Sequence, residues 1–590
     1  MLKSNTHSNY SKYLNSQNLE KQNVGAILET YRNNKILWKH SNLEDIRELP
    51  LKKRILSTLV HIKQSYSNIN DWEDIQEYSE FNTNIINLLK KFFIINHSTG
   101  YSFEYNLYNK FVSQAKSIHY YKNLERMRCE FDKGGFIGGV SEWDRDEQNF
   151  WDYKNLTFRT PSLLNTFKVY GGSYNLNWGY GLLFNNDLFH IRSASSIYNA
   201  EIHDPKFYNY LSSNESQYLF GLSLNIEANN FLFLPFYSKN GIDSHLENDK
   251  IVNISKSGQH ITPGQLARKN NTHRIHYGLG TLYDYQIGET GVLLYTTRFS
   301  NPIKNTNASH FPGFSLIQIF EFKKMDLGIE GALVSNKNFA VKLGSDFELQ
   351  DFEIGYSFRY YSPHFYDALG CPNNNYSGNI KNEKGYNIAV STDFPYEIDV
   401  TGYVDFSSPL SPEEAGEFSK KTITGNVELY KDFGETVQAR LKFKRKIKQQ
   451  NSFRNQKQIK GKVIISLNDF DIVSRAGYKK IDKKQNPEQG FAHSVYFKFE
   501  HNNFHYQIGT SNFYTKSFNS KIYLYEPGPP NRFNLPVLFG TGYRHFLLIN
   551  HRINELFMLY FKAAYLNRKK LHIVNWKNKT NFEITFNINI

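Results

Sequence analysis

The chain has 590 residues, 41 Tyr and 47 Phe against 4 Met and 17 Pro, a hydrophobic fraction of 40% and a net charge of +14, and its mean hydropathy is −0.57. No apolar run approaches the roughly 20 residues of a membrane-spanning helix. Two cysteines without CxxC spacing, Cys129 and Cys371, exclude a disulfide scaffold and a multi-cysteine metal centre, while one bridge between them stays open.

Aromatic excess in a polar chain suits a membrane barrel with aromatic girdles and a wet interior. It suits equally a soluble all-β protein from an AT-rich genome. The basic balance is compatible with nucleic acid, anionic lipid or an anion pore.

Residues 1–40 are polar, Asn- and Ser-rich, with a weak helical pattern. The basic patch and 7–15-residue apolar run of an export signal are not visible there. Because the rest of the chain reads as exported, the expectation is that the true start lies upstream.

Residues 41–95 carry helical spacing: Leu43, Ile46, Leu49, Leu56, Leu59 and Val60, then Trp72, Ile75, Tyr78, Ile85, Ile86, Leu88 and Leu89. The two halves repeat, Leu43-Glu44-Asp45-Ile46 matching Trp72-Glu73-Asp74-Ile75, and Leu51, Leu56 and Leu59 matching Phe81, Ile86 and Leu89. Two short-helix, turn, longer-helix units predict a tandem helix-hairpin-helix module. In that motif a turn glycine lets backbone N–H groups approach a phosphate. Here the turns are Leu49-Pro50-Leu51 and Ser79-Glu80-Phe81, with no glycine and with a carboxylate that repels phosphate. A packing or protein-contact role is therefore expected, and nucleic acid is an unfavoured partner.

From about residue 100 the period becomes two. Phe352, Ile354, Tyr356, Phe358 and Tyr360 alternate with smaller or polar residues, as do Phe339, Val341 and Leu343, then Val495, Phe497 and Phe499, then Phe557, Leu559, Phe561, Ala563 and Tyr565. Turn-rich clusters separate these runs. Lys442, Lys444, Lys446 and Lys448 read as the polar face of one such strand, lumenal or extended past the membrane. The acidic stretch Glu142, Asp144, Asp146 and Glu147 lacks EF-hand spacing and reads as a solvated turn rather than a Ca²⁺ site. His501 and His505 fall across a turn, without the HExxH spacing of a zinc helix. No Ser/His nucleophile motif is present, and no enzyme activity or cofactor is expected.

The last strand, with Phe582, Ile584, Phe586, Ile588 and Ile590 on one face, reads as the closing strand. Many alternating runs without intervening helices predict an antiparallel up-and-down sheet over residues 96–590. In a membrane such a sheet must close. At roughly 10 residues per strand it gives about 18–24 strands.

Four stretches in order resemble signatures of uncharacterised outer-membrane β-barrel proteins of Bacteroidetes-like bacteria with a tandem helix-hairpin-helix region: Val169 to Leu182, Ser257 to Lys269, Thr297 to Pro302, and Leu524 to Gly542. The resemblance implies an outer-membrane barrel and supplies no activity. The missing export signal, the lost hairpin glycines and a terminal Ile590 in place of an aromatic depart from the family pattern.

The expected partners are outer-membrane lipid, the barrel-assembly machinery and a periplasmic protein. The candidate site is the loop with Ser257, Gly258, His260, Thr262, Arg268 and Lys269, lining a constriction or making an ordered extracellular or lumenal plug contact. The expected function is a pore or envelope transport component. A DNA-uptake component and a plugged structural barrel are the alternatives.

Overall fold

The computed structural model describes residues 36–38, 59, 72 and 83–94 of the N-terminal region and most of 101–589; the longer gaps are 186–199, 371–381, 412–420, 449–453, 483–486, 530–533 and 570–575. In the N-terminal region Ile36–Leu37 pairs in parallel with Phe93–Ile94. The preceding helix, Thr83–Phe92, buries Ile85, Ile86, Leu88 and Leu89. Both predicted hairpin turns, Leu49, Pro50, Leu51 and Ser79, Glu80, Phe81, lie outside the described residues, as does Ile590.

The rest is a closed antiparallel barrel of 24 strands, the top of the range predicted from strand length. In chain order they are β1 (Tyr101–Gln114), β2 (Ser117–Phe131), β3 (Gly135–Asp144), β4 (Tyr153–Arg159), β5 (Phe167–Gly179), β6 (Leu219–Ala228), β7 (Phe231–Ile242) and β8 (Thr272–Tyr285). Next come β9 (Gly288–Ile303), β10 (Ala308–Phe322), β11 (Met325–Val334), β12 (Asn338–Leu349), β13 (Phe352–Tyr361), β14 (Glu383–Phe394), β15 (Ile398–Ser408) and β16 (Thr422–Phe433). The circuit continues with β17 (Val437–Lys448), β18 (Arg454–Leu467), β19 (Phe470–Asp482), β20 (Glu488–His501), β21 (Phe504–Thr515), β22 (Thr541–Arg552), β23 (Phe557–Lys569) and β24 (Trp576–Asn589). β24 closes on β1 from Glu104↔Asn589 to Ser113↔Thr580, so the sheet curls into a ring.

The sheet is inside-out relative to a water-soluble protein. On β13, Gly355, Ser357 and Arg359 are buried while Phe352 faces out. On β24, Glu583, Thr585 and Asn587 point inward and Ile584 outward. Leu156, Leu222, Leu294, Leu316, Ile388 and Ile508 are exposed on the outer face. Charged Glu330, Lys342, Arg359, Asp405 and Lys562 are buried inside. A continuous apolar outer surface around a polar interior is stable only where the outer solvent is hydrocarbon.

The connections are asymmetric. At the end that holds the start of β1 and the end of β24 they are tight, as at 229–230, 286–287 and 502–503. At the opposite end they run long: 180–218, 243–271, 362–382 and 516–540.

One strand leaves the wall. β5 pairs β4 only from Thr157↔Gly172 to Arg159↔Tyr170, and pairs β6 from Phe167 to Tyr174. Beyond that its upper half pairs with a short strand, His203–Asn209. Gly172 permits the departure: its φ is +75°, and a Cβ there would lie 2.1 Å from the Leu156 carbonyl oxygen. The side chains that follow, Tyr174, Leu176 and Trp178, are fully buried.

Candidate functional site

The predicted loop lies at the long-connection end, beside the point where β5 leaves the wall. His260 is buried, and both its ring nitrogens face carboxylates. Nδ1 meets Asp152 just before β4, and Nε2 meets Asp243 just after β7 at 2.7 Å. The ring is held between carboxylates from two different connections. Lys269, before β8, reaches the same Asp152 carboxylate and donates to its backbone carbonyl at 3.2 Å. The His260 N–H donates to Glu147 Oε1 at 3.3 Å. His260 and Lys269 thereby tie together the ends of β4, β7 and β8, where the β4–β5 ladder is only three residue pairs long.

The other predicted residues frame this cluster. Ser257 is exposed and hydrogen-bonds Ser255 at 3.1 Å. Gly258, at φ +60°, packs so closely on Glu215 that a Cβ would lie 2.8 Å from its carboxylate oxygen. Thr262 caps the short helix Pro263–Leu266 through a reciprocal box with Gln265. Arg268 is exposed, and its carbonyl accepts from Asn271.

The acidic stretch divides. Glu142 and Asp144 both pair with Lys122, the latter at 3.1 Å. Glu147 turns inward, and it accepts from the Asp144 N–H at 2.8 Å as well as from His260. Burial raises the Glu147 carboxyl above the ordinary range, and the charges of Asp152 and Asp144 add to this. Burial, then Asp152, Asp243 and Glu147, push Glu215 up to about 8. Ligand atoms of Glu147, Asp152 and His260 lie within 4.8 Å of one another. A cation there would compete with Lys269 and the His260 ring for Asp152.

Three segments fold from the long-connection end into the lumen. After β5 the chain hooks at Tyr180 to Phe184. Glu330 on β11 receives the Tyr180 N–H at 2.6 Å and the Leu182 N–H at 3.4 Å. Trp178 donates to Ser315 at 3.0 Å, and Lys342 lies 4.4 Å over the Tyr180 ring. The second segment, around Phe365 to Gly370, meets the first through a Phe184↔Leu369 bridge. Its Asp367 accepts from Tyr295. The third, between β21 and β22, packs Ile522, Leu524 and Leu538 against Ala492 and Phe513. Its Glu526 takes a fork from Arg544 at 2.5 and 2.8 Å and a second cation, Lys562, at 2.7 Å. Burial pushes Glu526 up, but Arg544 and Lys562 outweigh it and hold the carboxyl below the ordinary range. A further buried fork joins Arg359 to Glu383 at 2.6 Å and to Asp405 at 2.7 Å.

This closed, inside-out ladder decides the class. The chain has an outer-membrane-type β-barrel fold. No family model matches it, and no curated protein does. Among solved structures it is similar to the siderophore receptor PirA from Pseudomonas aeruginosa, at 7% identity over 84% of this chain and 81% of that one, with a TM-score of 0.42. It is similar also to the translocation pore of the P pilus usher PapC, at 9% identity over 83% and 99% and a TM-score of 0.33. Acinetobacter baumannii OccAB3 matches at 8% over 83% and 99%, with a TM-score of 0.31. The barrel assignment rests on the ladder itself.

Asp152, Asp243 and Glu215 are site residues with no local sequence signal. Asp243 shares the connection that carries His260, whereas Asp152 comes from the β3–β4 connection and Glu215 from the β5–β6 connection, brought in as 243–271 packs over them. The paired histidines are separate from the site: His505 contacts Glu500 at 2.8 Å across the β20–β21 turn. Cys129 on β2 is a free thiol, and Cys371 lies outside the described residues.

Proposed function

We propose that this barrel is a transport component of a Gram-negative outer membrane, with its long connections outside the cell and its termini on the periplasmic side. The observation that carries the reading is the polar, charged interior enclosed by 24 paired strands. A barrel of that circumference has room for water and solutes beside the inserted segments. Short periplasmic turns and long outer loops are the usual asymmetry of such barrels.

In this reading residues 41–95 contact a periplasmic partner, and the barrel-assembly machinery inserts the wall. The resemblance to the Bacteroidetes-type family belongs to the same proposal. The rim loop 257–269 and the three inward segments govern access.

A plugged structural barrel is the second reading, favoured by the apolar cluster that joins Trp178, Phe184, Phe365 and Leu369 inside the wall. Planar-bilayer recording on the purified full chain separates the two. Steady unitary currents support a pore, and repeated verified insertion without current leaves the plugged barrel.

A further inference from the structure

Two neighbouring ladders of the wall stop short at the same place. β4 is paired to β3 along its whole length, from Phe136↔Arg159 to Glu142↔Tyr153. On its other side it pairs β5 only at Thr157, Phe158 and Arg159. Tyr153 to Leu156 therefore have no ladder partner on that side among the described residues. Two strands on, β6 ends its pairing with β7 at Gly221↔Ser238, while β7 continues to Ile242 against β8 alone. The wall between the upper parts of β4 and β7 thus lacks the hydrogen-bonded strands that fill it lower down.

The gap lies at membrane depth. Tyr153 stands opposite Glu142, seven residues above Gly135 at the tight-turn end. That is about 24 Å along the strand and, at a tilt of roughly 40°, about 18 Å of height in a band about 25 Å tall. Leu156, opposite Gly139, lies at about 10 Å by the same geometry. With the long connections outside the cell, the gap faces the outer leaflet. Backbone outside a ladder is tolerated at that depth only where protein or a water-filled cavity covers it.

The cover is the segment 210–218, anchored mainly by side chains. The Tyr210 N–H donates to the Ser173 carbonyl at 3.1 Å. Arg126 of β2 donates to the Leu211 carbonyl at 3.0 Å, the Tyr153 hydroxyl to the Ser212 carbonyl at 3.3 Å, and Arg274 of β8 to the Ser216 carbonyl at 3.2 Å. Its two ends meet where Tyr210 stacks on Tyr218 at 5.2 Å. Above it, His260 spans from Asp152 to Asp243.

The margins of the gap are amphipathic. Leu156, Phe220 and Leu222 are exposed on the lipid side. Behind them Ser173 donates to the buried Asn155 side chain, and Thr157 accepts from Asn209 at 2.7 Å. Hydrocarbon outside and hydrogen-bonding groups inside suit a molecule with an acyl chain and a polar head.

We propose that this gap is a lateral port, with 210–218 as its door, through which the acyl chain of an outer-leaflet amphiphile enters the barrel. A segment held by a few side-chain anchors opens at lower cost than a ladder, which loses many bonds together. The leaflet it faces and the traffic it serves rest on the transport reading above; the gap does not.

The test places the full chain in vesicles of phosphatidylethanolamine and phosphatidylglycerol, with a phosphatidylethanolamine carrying a diazirine in its acyl chain as probe. Adducts formed on illumination are located by mass spectrometry. Tyr403 and Tyr496, buried behind complete ladders, are the reference. Adducts on Tyr153 and Tyr210 are expected at about fivefold or more above that reference, since a closed ladder excludes lipid. The variant Thr157→Cys/Asn209→Cys, with Cys129→Ser and Cys371→Ser, ties the door to β4. Its oxidation should lower the port adducts about fivefold or more, and reduction should restore them.

Adducts confined to outward residues such as Leu156 and Leu222 overturn the port, as do port adducts that a verified disulfide leaves unchanged. If the bridge does not form, the comparison with Tyr403 and Tyr496 decides alone. Planar-bilayer currents from the same protein keep the two readings apart. Steady current without port adducts leaves the pore and removes the port. Port adducts without current support the port as a lipid site while the pore reading falls.

Discussion

Leu294→Arg tests whether the outer face meets lipid. Leu294 is 56% exposed on β9 and stands across the ladders from Leu279 and Phe314. It is six residues from Gly288 at the tight-turn end, about 20 Å along the strand at 3.4 Å per residue. With a tilt of roughly 40° this is about 15 Å of height, close to the middle of an apolar band about 25 Å tall. An arginine at that depth costs about 2–4 kcal/mol, a fall of roughly 30- to 700-fold in the folding equilibrium.

Phe322→Arg is the internal control. It is 47% exposed but sits at the tight-turn end of β10, where the same change costs about 0–1 kcal/mol. Reversible urea unfolding in phosphocholine vesicles, followed by tryptophan fluorescence, measures both. On a water-facing surface each change would stay within about 0.5 kcal/mol. That outcome for Leu294→Arg refutes the lipid-facing assignment.

Three other outcomes are expected. Gly172→Ala puts an L-residue at φ +75°, costing about 1–2 kcal/mol for the backbone alone, besides the clash with Leu156. A lowered melting temperature checks it, and an unchanged one removes the account of how β5 leaves the wall. Glu215 has its carboxyl raised to about 8 by burial and three neighbouring carboxylates. Its neutral form is favoured in the fold, so the contribution of Glu215 to rim stability is fully present below the ordinary glutamate range and is lost as pH rises toward about 8. Limited proteolysis across that range should show cleavage in 211–218 increasing with pH, and Glu215→Gln should flatten the dependence. Glu526→Gln leaves Arg544 and Lys562 buried without their anion, an expected loss of about 3 kcal/mol by chemical denaturation at pH 7. Because the Glu526 carboxyl is held down, the wild type loses this contribution as pH falls, and the variant has none to lose.

The wall was legible because a strand between lipid and water repeats every second residue. The run from Phe352 to Tyr360 and the lysines of β17 both sit on the faces their alternation predicts. Helical spacing at Ile85, Ile86, Leu88 and Leu89 likewise gave the helix Thr83–Phe92. The interior was less legible. Val169 to Leu182 alternates like any wall strand, and only Gly171-Gly172 hints that half of it peels inward. Glu147 reads as solvated in its own loop; it is buried because the loop that carries His260 folds over it from more than 100 residues away. Of the predicted loop, His260 and Lys269 converge on partners, while Thr262 shapes the backbone and Arg268 faces out. A periodic pattern reports on the solvent around a strand. It does not report which turns meet when the sheet curls round.

The ladder between Tyr101–Gln114 and Trp576–Asn589 has a consequence for biosynthesis. The first strand emerges long before its closing partner exists, and its outer N–H and C=O groups stay unmatched until the final strand has been made. Such an edge is a template for pairing with other chains, and contacts this distant in sequence form slowly. That unmatched edge persists for nearly the whole length of synthesis. Truncating even the last strand, though it removes few residues, should trap the chain as an aggregation-prone open sheet rather than yield a slightly smaller barrel.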